Sequence, residues 1–183
     1  MTENELALVE LKNALQKLQN GPLASVFFPQ DTCKLEEFQE LIPFEDRLKD
    51  VFKDMVYIEY PEYARWAILC NGFLEDVNYI LVWNICNEGK IIKMTAIPHD
   101  VHLKEDLSEN EILEKVNTVN ASIKQNCDGV CAVYNHASNS IYFKRSFLLI
   151  PSDEYIKKDL FSNSWMGVSR HRKQLLENLY EIN

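Results

Sequence analysis

Glycine is scarce in this chain, with five residues among 183. Gly21, Gly72, Gly89, Gly129 and Gly167 build neither a G-x-G-x-x-G nor a P-loop spacing. A nucleotide site that brings glycine backbone against a phosphate therefore has no support. Long apolar runs are missing as well: the longest span five residues, as in Trp66–Cys70 and Tyr79–Trp83. A membrane span needs about twenty, so none is expected. Positive charge is short, with 19 Lys and Arg against 28 Asp and Glu, a net charge of −9 and a pI near 5.0. Such a surface repels phosphate backbones and anionic lipid, which argues against nucleic-acid and membrane partners. The start, Met1-Thr2-Glu3-Asn4-Glu5, lacks the basic-then-apolar order of a secretory signal. A cytoplasmic location is expected. The five cysteines are odd in number, and in an unsecreted chain this points to free thiols.

What is present is globular in character. Apolar residues make up 46%, charged residues 26% and aromatics 11%. A 21.4 kDa chain buries roughly 70% of its unfolded surface on folding, so neither a metal nor a disulfide is required. The first segment, Glu3 to Gln19, reads as a helix. Thr2 and Glu5 match a capping box, and Asn20-Gly21-Pro22 supplies the stop. Leu8, Leu11, Leu15 and Leu18 form one apolar seam. This seam is too short for a stable coiled coil alone. It has two readings: docked on its own domain, or packed on another protomer or partner. Leu23 to Phe28 reads as an extended connector. Residues 1–30 are thus expected to be an N-terminal helix and connector, and residues 31–183 a single α+β domain.

Asp31 or Thr32 is expected to cap a second helix carrying Leu35, Phe38, Leu41 and Ile42, broken or kinked at Pro43. Phe44, Leu48, Val51, Phe52 and Met55 continue at helical spacing. From Val56 the texture turns to β-branched and aromatic residues. The runs are Val56–Tyr60, Tyr63–Asn71, Val77–Cys86 and Lys90–Ile97, and Pro61 suggests that the first two are one irregular edge strand. Glu88-Gly89 predicts a tight hairpin. Both faces of Val77–Ile85 are apolar near its middle, which predicts a central strand covered on both sides. Pro98 to Leu107 reads as a polar loop. Ser108 and Glu111 form a second capping box before a helix bearing Ile112, Val116, Val119 and Ile123. Val130–Asn135 and Ser140–Ile150 are two more strands around a His136–Asn139 turn. Pro151-Ser152-Asp153 starts a helical segment that loosens at Phe161–Ser164, and Trp165 to Glu181 closes as a helix. The order is α-α-βββ-α-ββ-α. It predicts an α+β fold with an antiparallel sheet of five to six strands.

This order of elements resembles the YbjN family, whose fold is shared with bacterial type III secretion chaperones. The residues that carry the resemblance are Val116-Asn117-Thr118-Val119-Asn120, the hairpin formed by Cys131-Ala132-Val133-Tyr134 and Ile141–Leu149, and a long final helix. It covers about Thr32 to Asn183. The resemblance implies a type III secretion chaperone-like fold and a small, acidic, non-enzymatic protein that binds other proteins, often as a dimer. The family offers no residue motif to transfer.

Candidate chemistry is sparse. Cys127-x-x-x-Cys131 with His136 lacks the second ligand pair of a zinc site. His99-Asp100-x-His102, with Glu105 nearby, lacks an indicated third ligand and reads as a solvated loop. Gly167-x-Ser169-x-His171 lacks the glycine that ends a nucleophile elbow. The one concentrated basic run is Arg170-His171-Arg172-Lys173. The expectation is a protein-binding module without cofactor or metal, held to a partner by Leu8, Leu11, Leu15, Leu18, Arg170 and Arg172. The partner is an effector, a toxin or a regulatory protein, and homodimerisation fits the resemblance. An immunity protein that blocks a toxin is the alternative, because an acidic surface can cap a basic nuclease site. An enzyme of unknown reaction is the third reading.

Overall fold

The computed structural model describes residues 1–37, 42–71, 77–126, 129–148, 161–169 and 179–181. Helix α1 spans Glu3–Gln19, α2 Ala24–Phe27, α3 Ile42–Val51 and α4 Glu109–Asn126. A further helix, α5, covers 161–169, and Leu35–Glu37 form a 3-10 turn. The strands are β1 (Val56–Glu59), β2 (Arg65–Asn71), β3 (Asn78–Cys86), β4 (Ile91–Pro98), β5 (His102–Leu103), β6 (Cys131–Asn135), β7 (Ser140–Leu148) and β8 (Tyr180–Glu181). Six of them form one antiparallel sheet in the order β1-β2-β3-β4-β7-β6. The α+β class is therefore observed, at the six-stranded end of the expected range.

Local sequence explains the helix starts. Thr2 N–H donates to Glu5 Oε2 at 2.7 Å and Glu5 N–H to Thr2 Oγ1 at 3.3 Å. Ser108 and Glu111 repeat the arrangement at 2.8 and 3.3 Å. Each box satisfies two amide donors that a helix start leaves open. The Ser108 bonds also hold the Glu111 carboxyl below its ordinary range. The β3–β4 turn needs left-handed backbone at Asn87, Glu88 and Gly89, with φ of 52°, 53° and 80°. Glycine accepts this at no steric cost.

The sheet has two covered faces because β3 is apolar on both. Tyr79, Leu81, Trp83 and Ile85 face the first core with Trp66, Ile68, Met94, Ala96, Ile141 and Phe143. Helices α3, α4 and α5 cover that face with Phe44 and Leu48, with Ile112, Val116 and Val119, and with Phe161, Trp165 and Val168. Phe161 sits 4.9 Å from Trp83 and 5.1 Å from Phe44, both edge to face. The second face offers Ala67, Leu69, Ile80, Val82 and Tyr142, and α1 and α2 cover it with Leu11, Ala14, Leu15 and Phe27.

Several expectations are corrected. The first two apolar runs are separate strands, paired from Val56↔Leu69 to Glu59↔Trp66. Pro61 lies in the turn between them, where no ladder N–H is missing. Pro43 lies in the first turn of α3, a place where its lost donor has no helical partner anyway. Leu23–Phe28 is not extended: Val26 and Phe27 N–H both bond Leu23 O and close the single turn of α2. Thr32 caps no helix; it pairs with Cys86 as an isolated bridge. The polar loop contains β5, and Tyr180 and Glu181, expected to be helical, form β8, because His102↔Glu181 and Leu103↔Tyr180 pair across the chain. Residues 161–164 are helical: Phe161 and Ser164 are buried with Trp165 and Val168, and packing overrides the weak helix preference of Ser and Asn. Phe38, Leu41, Gly72, Leu149, Pro151–Asp153, Leu175 and Leu176 lie outside the described residues, as does the side chain of Ile123.

Candidate functional site

Of the four seam leucines, Leu11, Leu15 and Leu18 pack into the second core from the inner side of α1. Leu11 and Leu15 are buried against the chain's own sheet, and Leu8 and Leu18 are half-buried. The same helix carries a second stripe on its outer side. Leu6 and Val9, one turn apart, are 53% and 49% exposed, and Met1 is open beside the helix start. Two turns on, the stripe becomes polar, and Asn13, Gln16, Lys17 and Asn20 line a shallow groove. Helix α1 is thus apolar inward along its length and apolar outward over its first half. The seam alone did not reveal this, although Leu6 and Val9 follow the i, i+3 rule.

Arg170 and Arg172 lie outside the described residues, as do His171, Lys173 and Cys127. Ser169 is buried, and its hydroxyl donates to Trp165 O at 3.2 Å. It is bonded within its own helix. Cys33, Cys70 and Cys86 are buried free thiols and Cys131 is exposed. Burial raises the Cys70 thiol well above its ordinary value and Cys86 to about 11.

A polar cluster unmarked by any motif ties the α1–α2 layer to the sheet. Arg65 begins β2 and is only 7% exposed. Its Nε donates to Asn84 Oδ1 at 2.6 Å and its Nη2 to Thr32 Oγ1 at 3.1 Å. Asn84 Nδ2 donates to Phe27 O at 3.1 Å, and Thr32 Oγ1 to Pro29 O at 2.7 Å. The guanidinium carbon lies 4.9, 5.3 and 5.4 Å from the ring centres of Phe28, Tyr60 and Tyr63. Ring faces attract the cation where water is excluded. Burial still lowers the Arg65 pKa, against the opposing pull of Tyr60. The sequence signal was Asn84, a lone amide that ends the apolar run of the central strand.

A second cluster sits where α1 meets the end of β4. His99 Nε2 is 2.8 Å from Glu10 Oε1 and 3.1 Å from Asp100 Oδ2. Glu10 comes from α1, so the fold supplies the third group that the His99-Asp100-x-His102 pattern lacks. His102 and Glu105 are exposed and stand outside the cluster. The nearby stretch is acidic: Asp100, Glu105, Asp106, Glu109, Glu111 and Glu114 are all exposed, with Lys104 among them. Among the described residues, no helix is long and apolar enough to cross a membrane. No family model, curated protein or solved structure matches the chain.

Proposed function

We propose that this protein is a cytoplasmic binding module for another polypeptide, chaperone-like or regulatory in the manner of the YbjN family. The observation that carries the reading is the outer apolar stripe of α1. Leu6 and Val9 stand in solvent on a helix whose other side already closes the second core. Burying each side chain against a partner is worth roughly 1.5–3 kcal/mol, and neither is needed to hold the helix on its sheet. The partner therefore presents an apolar patch, with polar groups opposite Asn13 and Gln16. The test is capture from native lysate with tagged full-length protein, read by mass spectrometry. Leu6→Asp and Val9→Asp should lose the captured protein while leaving the melting temperature in place. Capture that survives both substitutions would overturn this reading.

The immunity-protein reading rests on a different observation, the six exposed carboxylates between residues 100 and 114. Clustered negative charge speeds docking onto a basic surface and makes it salt-dependent. If that reading holds, Glu109→Lys/Glu114→Lys slows association with the captured partner, and Leu6→Asp does not.

A further inference from the structure

We propose that Glu10, His99 and Asp100 form a binding site for a zinc-type divalent cation that clips α1 to the end of β4. One ligand atom comes from α1 and two from the bend just after β4, and the three lie within 4.8 Å of one another. The His99 side chain is 16% exposed, and its backbone N–H is fixed to Asn78 O at 2.8 Å. Its Nε2 faces two carboxylates at once. A single ring proton makes one good hydrogen bond and shares the other poorly. A divalent cation in the same place meets all three groups, and its charge cancels that of the two carboxylates.

The dimensions suit zinc. Zinc takes imidazole nitrogen and carboxylate oxygen at about 2.0–2.2 Å, most often with four ligands. The Nε2–O distances of 2.8 and 3.1 Å open by a few tenths of an ångström to admit the ion. The more exposed members make this adjustment: the Glu10 and Asp100 side chains are 38% and 80% exposed. The ring turns to its Nδ1–H form, so that Nε2 offers a lone pair. Three protein ligands leave one position for water. Imidazole selects zinc, nickel or copper over magnesium and calcium, which prefer oxygen. Asp100 holds a left-handed backbone, φ 57°, a conformation that Asp and Asn tolerate better than most residues.

The test uses full-length protein in a Cys127→Ser/Cys131→Ser background, so that thiols do not compete for the probe. Zinc alone is titrated against a chromogenic chelator, and thermal melts are run with zinc and with magnesium. The expected result is one zinc per chain. At about a hundredfold excess over its dissociation constant, zinc should raise Tm by roughly 5–10 °C, and magnesium should not. His99→Ala should abolish binding. Glu10→Gln and Asp100→Asn should each weaken it by about tenfold or more, the second with the turn conformation kept. Circular dichroism of the apo variants separates lost ligation from lost folding, and Glu10→Gln, a nearly isosteric change at a half-exposed helix position, stays decisive if His99→Ala unfolds. Zinc binding of unchanged strength in Glu10→Gln and His99→Ala would overturn the proposal. So would a melt that zinc does not move.

Discussion

Asn84 is wholly buried on β3, in a position where a branched apolar residue would suit the strand better. Its amide is retained because it answers two groups at once: Oδ1 receives Arg65 Nε, and Nδ2 reaches Phe27 O. A buried guanidinium that loses its acceptor keeps its desolvation cost. Asn84→Leu should therefore cost about 3–5 kcal/mol, read as a lower urea midpoint at unchanged slope. Adding Arg65→Met should recover much of the loss, because the stranded charge is then gone. If the double variant is no more stable than Asn84→Leu, the network is not the reason for the loss. At this scale the sequence was only half legible. Asn84 is visible as a polar interruption, but its partners Arg65, Thr32 and Phe27 lie on other elements, and no spacing rule connects them. The same holds for Glu10 and His99. A cluster formed by tertiary contact leaves a mark on each residue's neighbourhood and none on the distance between them.

Elements were read best where their signal is local. Both capping boxes and the turn at Glu88-Gly89 depend on residues within four positions, and both boxes form as expected. Elements defined by a distant partner were missed. Strands β5 and β8 have two residues each and exist only because they pair with one another. Helix α1 supports a direct comparison of its two sides. Leu11→Ala should destabilise by about 2–5 kcal/mol, the cost of a cavity in a packed core. Leu6→Asp should shift stability by no more than about 0.5 kcal/mol, as exposed substitutions do. Chemical denaturation of both variants checks this, and equal losses would mean that the outer stripe is also needed for the fold. Helix α4 carries a different device. Asn120, in the stretch that supports the family resemblance, donates Nδ2 to Ala132 O and accepts Ala132 N–H, both at 2.8 Å. Its side-chain amide takes the place of a neighbouring strand on the outer edge of β6. Asn120→Ala should cost about 1–3 kcal/mol and increase concentration-dependent self-association, because an open edge invites pairing. Light scattering over a dilution series checks this. A variant as monodisperse as the parent protein would show that the edge is guarded elsewhere.

For the whole molecule, the sheet with helices on both faces makes β3 the most protected strand. Its side chains from Tyr79 to Cys86 are all buried, and it is paired with β2 over Asn78–Asn84 and with β4 over Tyr79–Cys86. Amide exchange from Ile80 to Ile85 should follow global unfolding, whereas β5, β6 and the His136–Asn139 turn should exchange through local openings. Comparable rates in β3 and β6 would contradict this ordering. The α+β class was legible because apolar stretches of two periods alternate along the chain. The two-sided cover was legible only for β3, since no local pattern says that the first helix returns to the far face. The second core has a consequence for biosynthesis. Leu11 and Tyr142 belong to the same core, but Tyr142 is translated later, roughly 7–26 s behind at about 5–20 residues per second. For that interval a nascent chain carries an amphipathic helix with greasy residues on both sides and an incomplete surface to rest on. Until the sheet is complete, Leu11 and Leu15 stand as open on that helix as Leu6 and Val9 do.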